Sequence, residues 1–255
     1  MTVDEYMADL GVDMLHPGGV KKTEELADMC KIIKNQKVLD VGCGYGKTAC
    51  YLVKKYDCRV TGIDVSKKMI EGSKNKARKE SVEEFVQFEI GDAENIRFND
   101  AVFDVVISEG TTVLLADKEQ AIREYVRVIK PGGHVGLNEL SWMNKPTKEI
   151  IERTLNTLQR VRPLKYDEWI KLMIDSGLKD IELKKYVYKS TSLDTISSLG
   201  LQGLIKVGLR YFTNSELRNW IRKQEALFHD YSSYWGYGLY VGRKSSQILL
   251  MKSDS

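Results

Sequence analysis

The sequence lacks the features that mark membrane, secreted and nucleic-acid-binding proteins. No stretch approaches the roughly 18 continuous apolar residues that a membrane-spanning helix needs. The first ten residues, MTVDEYMADL, are acidic, whereas a secretory signal begins with basic residues and continues with apolar ones. The formal net charge is only +3, which falls short of the concentrated positive charge of a dedicated nucleic-acid binder. We therefore expect a cytoplasmic protein without a membrane span. The charge alone leaves the partner open, and we expect a small-molecule partner and no nucleic acid.

Cysteine is scarce and unevenly placed. The four cysteines, Cys30, Cys43, Cys50 and Cys58, lie in the first quarter of the chain and form no CxxC pair. We expect reduced thiols and predict no metal site. The chain also contains no repeat, low-complexity tract or proline-rich linker. Its 255 residues, 42% of them hydrophobic, suffice for one large α/β domain with an inserted cap.

Short β-rich runs alternate with helical runs from residue 37 to residue 139. This rhythm predicts a mostly parallel, doubly wound sheet covered by helices. Ile122, Tyr125, Val126 and Ile129 indicate one amphipathic helix, and a weaker helix begins after Ser66. The predicted strands are residues 37–41, 59–63, 86–90, 103–108 and 134–137.

Additional elements flank this core on both sides. Before it, Leu26, Met29, Cys30 and Ile33 have the spacing of one helical face, which predicts a helix across the edge or mouth of the sheet. Residues 16–19, His-Pro-Gly-Gly, form a helix break ahead of it. After residue 140, the pattern predicts a strand at 181–188 and then an irregular segment at 192–208 that resembles a mobile cap. A helix is predicted from Thr213, and the last strand is predicted at either 238–242 or 247–251.

The most informative segment is VLDVGCGYG, residues 38–46. It has the pattern of a buried strand that ends in an acid and turns through Gly42, Gly44 and Gly46, and a helix with one apolar face follows at once. Glycines at such a turn let the backbone approach a ligand closely. Asp40 stands among apolar strand residues, which indicates that it answers a positive charge or orients the glycine loop.

Acidic residues follow the next strands at positions where ligands bind in open α/β sheets. Asp64, 22 residues after Gly42, is placed to accept hydrogen bonds from both ribose hydroxyls of an adenosine. Asp92, after the third strand, can accept a hydrogen bond from the adenine amine. Residues 108–110, Ser-Glu-Gly, follow the fourth strand.

In their order and spacing, VLDVGCGYG, GIDVS, GDAE, FDVVIS and RVIKPGG resemble the successive motifs of class I S-adenosylmethionine-dependent methyltransferases over residues 37–139. In general character the chain is similar to the ubiquinone and menaquinone biosynthesis type and its small-molecule relatives. The resemblance implies a Rossmann-like, seven-stranded sheet with an antiparallel last strand, in a monomer or homodimer. It also implies S-adenosylmethionine as cofactor and S-adenosylhomocysteine as product. The residues expected to bind the cofactor are Asp40, Gly42, Cys43, Gly44, Asp64, Val65, Asp92, Ala93, Ser108 and Glu109.

A nicotinamide-dependent dehydrogenase is the rival interpretation, since its GxGxxG loop and downstream acid look alike. The loop argues against it, because Lys47 stands where the dinucleotide pattern needs its third glycine. The later GDAE and KPGG segments also remain unexplained by a dehydrogenase.

Methyl transfer from a sulfonium is an in-line displacement, so the protein mainly positions the nucleophile and excludes water. A base is needed only if the nucleophile arrives protonated. The candidates are Glu109, Glu139 and His16, with Tyr6 as a further one.

Absent motifs narrow the choice of methyl acceptor. The NPPY-like tetrapeptide of amino-base methyltransferases is replaced by Ser-Glu-Gly-Thr at residues 108–111. No cysteine follows Cys58, which argues against pyrimidine C5 and arsenite methylation. Glu109 and Glu139 are too few carboxylates for a metal-dependent catechol site. A small apolar or partly apolar metabolite, such as an isoprenoid, lipid or quinone precursor, fits best.

Three alternatives stay open: a methyltransferase acting on a protein or RNA, a nicotinamide-dependent oxidoreductase, and a non-catalytic cofactor-binding protein. The organisation we expect has an N-terminal helical lid at 1–34, a cofactor-binding core at 35–140, and a C-terminal part at 141–255 with a helical cap insertion at about 189–236. The aromatic residues near the C-terminus form either a packed core or a pocket wall, and they are Tyr231, Tyr234, Trp235, Tyr237 and Tyr240.

Overall fold

The computed structural model describes residues 16–188 and 213–246. The predictions at Tyr6, 192–208 and 247–251 lie outside these ranges. The helices are α1 Gly19–Met29, α2 Lys47–Tyr56, α3 Lys67–Lys79, α4 Lys118–Val128, α5 Lys148–Leu158, α6 Tyr166–Asp175 and α7 Ser215–Asp230. The strands are β1 Lys37–Val41, β2 Arg59–Asp64, β3 Val86–Ile90, β4 Phe103–Glu109, β5 Ile129–Trp142, β6 Leu164–Lys165, β7 Leu178–Val187 and β8 Trp235–Lys244.

The main sheet has the strand order β3-β2-β1-β4-β5-β8-β7, and the two-residue β6 pairs beside it with the end of β5. Strands β1 to β5 are parallel, whereas β8 runs antiparallel to both β5 and β7. The prediction of a seven-stranded sheet with an antiparallel last strand is therefore confirmed. The chain winds outward from β1 to β3 and resumes at β4 on the other side of β1, which opens a crevice at the carboxyl ends of β1 and β4.

The predicted strands are present in the structure, but some of them end at other residues than predicted. Strands β1 and β3 have the predicted bounds, whereas β5 extends on both sides of the predicted residues 134–137. Pairing with β8 continues from His134 to Trp142 and keeps this part of β5 extended. The strand predicted at 181–188 is β7, and β8 contains the alternative at 238–242.

Helices cover both faces of the sheet and divide the core in two. On one face, α1, α2 and α3 bury residues such as Leu26 and Leu52 against β1 and β4. On the other face, α4 and α6 bury Ile122 and Trp169. Within the described ranges, no helix is long and apolar enough to cross a membrane.

Helix α1 lies on the sheet itself, and its predicted extent is corrected. The thiol of Cys30, just after the helix, packs so closely on β5 that a Cβ atom at Gly136 would overlap it. The helix ends at Met29 because Lys31 has a left-handed backbone conformation (φ 57°). The prediction that Ile33 shares the buried face is therefore wrong, since 63% of Ile33 is exposed.

An ionic cluster connects α1 to β7. The Glu25 carboxylate accepts hydrogen bonds from Lys22 (2.5 Å), Lys184 (2.7 Å) and the Tyr186 hydroxyl (2.7 Å). Burial alone would raise the pKa of Glu25, but these hydrogen bonds outweigh it and lower the pKa to about 2. The cluster fixes α1 beside the far edge of the sheet.

A third apolar group, here called the aromatic cluster, lies where β5 ends and β8 begins. Trp142 and Trp235 have ring centroids 4.5 Å apart, and Phe228 of α7 packs edge-on to Trp235 at 4.9 Å. Of the five aromatic residues named from the sequence, Trp235, Tyr237 and Tyr240 are buried, as expected of a packed core. The buried members of the aromatic cluster are Trp142, Ile150, Leu227, Phe228 and Trp235.

Candidate functional site

The loop between β1 and α2, residues 42–46, has glycine at each position where the backbone turns left-handed. The φ angles are 71° at Gly42, 50° at Gly44 and 76° at Gly46. A Cβ atom at Gly42 would overlap Thr111, and one at Gly46 would crowd Phe88, whereas a Cβ at Gly44 would meet no atom within 4 Å. Gly44 thus borders open space, and a ligand can approach its backbone closely.

Asp64 ends β2 beside this glycine loop. Its Oδ2 accepts a hydrogen bond from the Gly44 amide (3.1 Å), and its Oδ1 accepts one from the Ser66 amide (2.8 Å). These bonds hold the carboxylate at the open side of the loop. A carboxylate offers about four lone-pair sites, so Asp64 can accept several hydrogen bonds at once.

Asp40, on β1 beneath the loop, is only 3% exposed, and its Oδ2 has no hydrogen-bond partner among the residues that the structure describes. Burial raises the pKa of Asp40 well above its ordinary value, and the carboxylates of Glu109 and Asp64 raise it further, whereas a hydrogen bond from the Ala49 amide opposes the shift. Asp64 and Glu109 are thus close enough to Asp40 to disfavour a negative charge on it. A cationic ligand among them would relieve this repulsion.

The other residues expected to bind the cofactor differ in their exposure to solvent. Asp92 is exposed, and its carboxylate accepts from the Glu94 amide (2.9 Å) in the turn after β3. Val65 is 65% exposed next to Asp64, whereas Ala93 and Cys43 are buried. Ser108 is fully buried, and its hydroxyl contacts Thr112 Oγ1 at 2.8 Å.

Glu109, at the end of β4, lies at the centre of a group that we call the polar cluster. Only 3% of its side chain is exposed. Oε2 accepts from the hydroxyls of Thr23 (3.0 Å) and Thr48 (3.0 Å), and Oε1 accepts from Asn138 Nδ2 (3.2 Å). His16 Nδ1 lies 3.5 Å from Oε1. The polar cluster consists of His16, Thr23, Thr48, Glu109 and Asn138.

Two further contacts join His16 to the polar cluster. His16 Nε2 lies 3.3 Å from Thr23 Oγ1, and His16 Nδ1 lies 3.1 Å from Asn138 Nδ2. Glu109 accepts hydrogen bonds from the Thr23 and Thr48 hydroxyls and from the Asn138 amide, so His16, α1, α2 and β5 all meet at its carboxylate.

The structure does not bring Glu139 into the polar cluster. Successive strand residues face opposite sides of a sheet, so Asn138 faces Glu109 and Glu139 faces α4. The buried Glu139 carboxylate accepts hydrogen bonds from the backbone amides of Thr112 (2.8 Å) and Val113 (3.2 Å). Burial raises the pKa of Glu139 to about 8, although these amides and the Lys118 charge oppose the shift.

Glu139 therefore holds the short 3₁₀ turn Thr112–Leu114 that follows β4. The same turn is supported from inside, where Thr112 Oγ1 contacts Ser108 Oγ (2.8 Å) and the Tyr125 hydroxyl (3.3 Å). Thr111, just ahead of the turn, packs on Gly42. These contacts connect Glu139 to the cofactor side of the site through the backbone.

Sequence analysis missed three members of the polar cluster, namely Asn138 and the two threonines Thr23 and Thr48. A weak signal existed, because each hydroxyl residue stands on the buried face of its helix. Thr23 precedes Leu26 by three positions, and Thr48 precedes Leu52 by four, with all four residues buried. A polar residue on an otherwise apolar face needs a partner, and here the partner is Glu109.

The fold and this site define a Rossmann-like domain with an open glycine loop at its switch point. Residues 39–137 match a family model described as a methyltransferase domain. These residues contain a methyltransferase domain, and the predicted resemblance to class I S-adenosylmethionine-dependent methyltransferases, whose cofactor is S-adenosylmethionine, is confirmed.

Curated relatives agree with this assignment. The methyltransferase GfsG of Streptomyces halstedii is 31% identical over 176 residues, which cover 68% of this chain and 63% of the relative. The 27-O-demethylrifamycin SV methyltransferase of Amycolatopsis mediterranei is 33% identical over 132 residues, or 52% of this chain and 48% of the relative. The aligned regions thus span less than two thirds of either relative.

Solved structures share the fold at low sequence identity. Phosphoethanolamine N-methyltransferase 2 of Haemonchus contortus with S-adenosyl-L-methionine has a TM-score of 0.75 at 16% identity, covering 96% of this chain and 60% of that one. Geranyl diphosphate methyltransferase with the same cofactor has a TM-score of 0.67 at 16% identity, with coverages of 88% and 84%. The [4+2]-cyclase SpnF has a TM-score of 0.71 at 21% identity, with coverages of 89% and 82%.

The site fits S-adenosylmethionine in shape and charge. The open space at Gly44 leaves room for a ligand against the loop backbone. The unpartnered Oδ2 of Asp40 and the neighbouring acids Asp64 and Glu109 suit a ligand that has a sulfonium and an ammonium group. The residues that would hold the cofactor are therefore on the β1, β2 and β4 side of the crevice.

Proposed function

We propose that this protein transfers the methyl group of S-adenosylmethionine to a small, partly apolar metabolite by in-line displacement. When bound, the cofactor supplies a methyl group on a positively charged sulfur. The observation that supports the proposal most directly is the convergence of three carboxylates, those of Asp40, Asp64 and Glu109, beside the open space at Gly44. Such a site favours a cationic ligand.

The methyl acceptor would lie on the β4 and β5 side of the crevice. Neighbouring strands are about 4.8 Å apart, so Asn138 on β5 is two strands, roughly 10 Å, from the end of β1. The polar cluster borders this side, and the aromatic cluster follows at the end of β5. A polar end next to an apolar end suits a metabolite with a polar reacting group and an apolar skeleton.

Glu109 and His16 are the groups that we assign to the proton of a protic acceptor. Glu109 accepts hydrogen bonds from Thr23 and Thr48, and His16 Nδ1 lies 3.5 Å from its carboxylate, so the pair is placed to receive the proton of the acceptor. Glu139 would act as a positioning residue, because it reaches the site only through the turn after β4.

The names of similar proteins support a small substrate. They include methyltransferases that act on geranyl diphosphate and on a rifamycin, both of which have large apolar parts. We also propose that residues 1–34 form a lid and that residues 189–236 form a cap over the acceptor, in a monomer or homodimer. Shielding the reacting groups from water is the physical purpose of such covers.

The test is calorimetric titration with S-adenosylmethionine, S-adenosylhomocysteine and NADH, followed by transfer of a radiolabelled methyl group to a library of apolar metabolites. Micromolar binding of the two adenosyl ligands without NADH is expected. Because a [4+2]-cyclase shares the fold, binding alone does not demonstrate methyl transfer, and a labelled product is required. Binding of NADH alone would refute the proposal.

A further inference from the structure

The side-chain amide of Asn138 is fully buried, and only its nitrogen has hydrogen-bond partners among the described residues. Its Nδ2 lies 3.0 Å from the Pro17 carbonyl oxygen, 3.2 Å from Glu109 Oε1 and 3.1 Å from His16 Nδ1. Exchanging the nitrogen and oxygen would place an oxygen against two acceptors, the Pro17 carbonyl and Glu109, so the orientation is fixed. Within the described residues, Oδ1 has no hydrogen-bond partner.

The position of Asn138 separates it from the cofactor side. It pairs directly with Glu109 across β4 and β5, at the carboxyl ends of both strands. The unpaired Oδ2 of Asp40 is two strands closer to the glycine loop and offers the nearer anionic partner for a cationic cofactor. The unpaired Oδ1 of Asn138 is therefore left for the other reactant.

Residues 16 and 17 form a roof over this amide. They contact Asn138 from above, and His16 packs so tightly on β4's end that a Cβ atom at Gly110 would lie 3.2 Å from His16 Cβ. Gly18 and Gly19, both with positive φ (78° and 58°), join the roof to α1. Two successive glycines provide a hinge at which the roof can turn.

We infer that Asn138 determines the class of methyl acceptor, because its Oδ1 accepts a hydrogen bond from an O–H or N–H group on the acceptor once the roof has lifted. This inference rests on the proposed function. A buried acceptor atom without a donor costs free energy, and a protic ligand removes that cost. A carbon or thioether acceptor would leave Oδ1 unpaired and would be disfavoured.

The experiment compares three probes of similar shape, 3-phenylpropan-1-ol, 3-phenylpropan-1-amine and butylbenzene, by titration calorimetry of the full chain saturated with S-adenosylhomocysteine. We expect the alcohol or the amine to bind at least about tenfold more tightly than butylbenzene. Asn138→Leu and Asn138→Ala both remove the acceptor atom with different changes in volume. Each should reduce the preference to less than about threefold while S-adenosylhomocysteine affinity stays within about twofold.

Thr23→Val is the matched control, because it removes a hydrogen bond to Glu109 and keeps Oδ1 of Asn138. It should retain the preference for a protic probe. A preference that persists in both Asn138 variants would overturn the inference, and so would an equal loss of S-adenosylhomocysteine affinity or a failure of every probe to bind the saturated wild type. Failure of S-adenosylhomocysteine itself to bind the wild type would instead refute the proposed function.

Discussion

Glu139 provides a sharp test of the electrostatics in this fold. Its carboxyl group is fully buried on β5, and its pKa rises from the ordinary 4.5 to about 8, chiefly because burial disfavours the charged form. Between these two pH values the folded protein holds a proton that the unfolded chain releases. The stability contributed by the protonated acid is therefore complete below pH 4.5 and is lost as the pH rises to about 8.

The size of the effect follows from the shift. Each pKa unit corresponds to about 1.4 kcal/mol, so the change from 4.5 to about 8 sets an upper limit of about 5 kcal/mol. Glu139→Gln removes the titration and keeps one acceptor for the amides of Thr112 and Val113. The unfolding free energy of the wild type, minus that of the variant, should fall by several kcal/mol between pH 4.5 and 8.

Urea unfolding at pH 5, 6, 7 and 8 measures this difference directly. The other ionisable groups that face Glu139, namely Lys118, Tyr125 and Tyr240, are present in both proteins and cancel in the subtraction. Glu89→Gln, at an exposed position on β3, is the control and should show no such pH dependence. If the wild type and Glu139→Gln differ by a constant amount across this range, our account of the buried carboxyl is refuted.

Three further predictions concern the cofactor side and the support of α1. Asp64→Ala should weaken S-adenosylmethionine binding roughly 10- to 100-fold, since charge-assisted hydrogen bonds are lost, and unchanged affinity by calorimetry would contradict the ribose assignment. Gly44→Ala should weaken binding at least about tenfold, whereas Gly177→Ala, which also has a positive φ and open space, should cost similar stability and leave affinity unchanged. Wild-type stability should fall as the pH drops from 4.5 towards 2, because the pKa of Glu25 is about 2. In acid unfolding measurements, Glu25→Gln should reduce this pH dependence of the unfolding free energy by about 1–2 kcal/mol. Parallel curves for the two proteins would disprove the stabilising role of the ionic cluster around Glu25.

The sequence was sufficient for the parallel core because each signal there is local. A buried strand, a glycine loop and an acid at fixed spacing are all contained within residues 38–64, and β1, α2 and β2 formed as predicted. The polar cluster was less accessible, because it joins residues as distant as Thr23 and Asn138. Its geometry depends on which face of β5 each residue occupies and on how α1 is seated, and both are set by tertiary packing.

Glu139 and Ser108 also show that the sequence alone did not determine which side of the sheet a strand residue faces. Both were proposed for the site because they stand at the ends of strands, yet their side chains support the turn and α4 side of the sheet. A shift of one residue along a strand reverses the side of the sheet, and nothing in the local pattern distinguished Asn138 from Glu139.

Because all four cysteines are buried, a single introduced cysteine can be labelled selectively. Burial raises the pKa of Cys50 and of Cys58 to about 11, and Cys30 and Cys43 are enclosed as well. Native thiols should therefore react slowly with maleimide dyes. A cysteine introduced at the exposed Lys21, close to the glycine hinge, would be the one fast-reacting thiol and would report in real time, by fluorescence, whether the segment before α1 moves during a catalytic cycle.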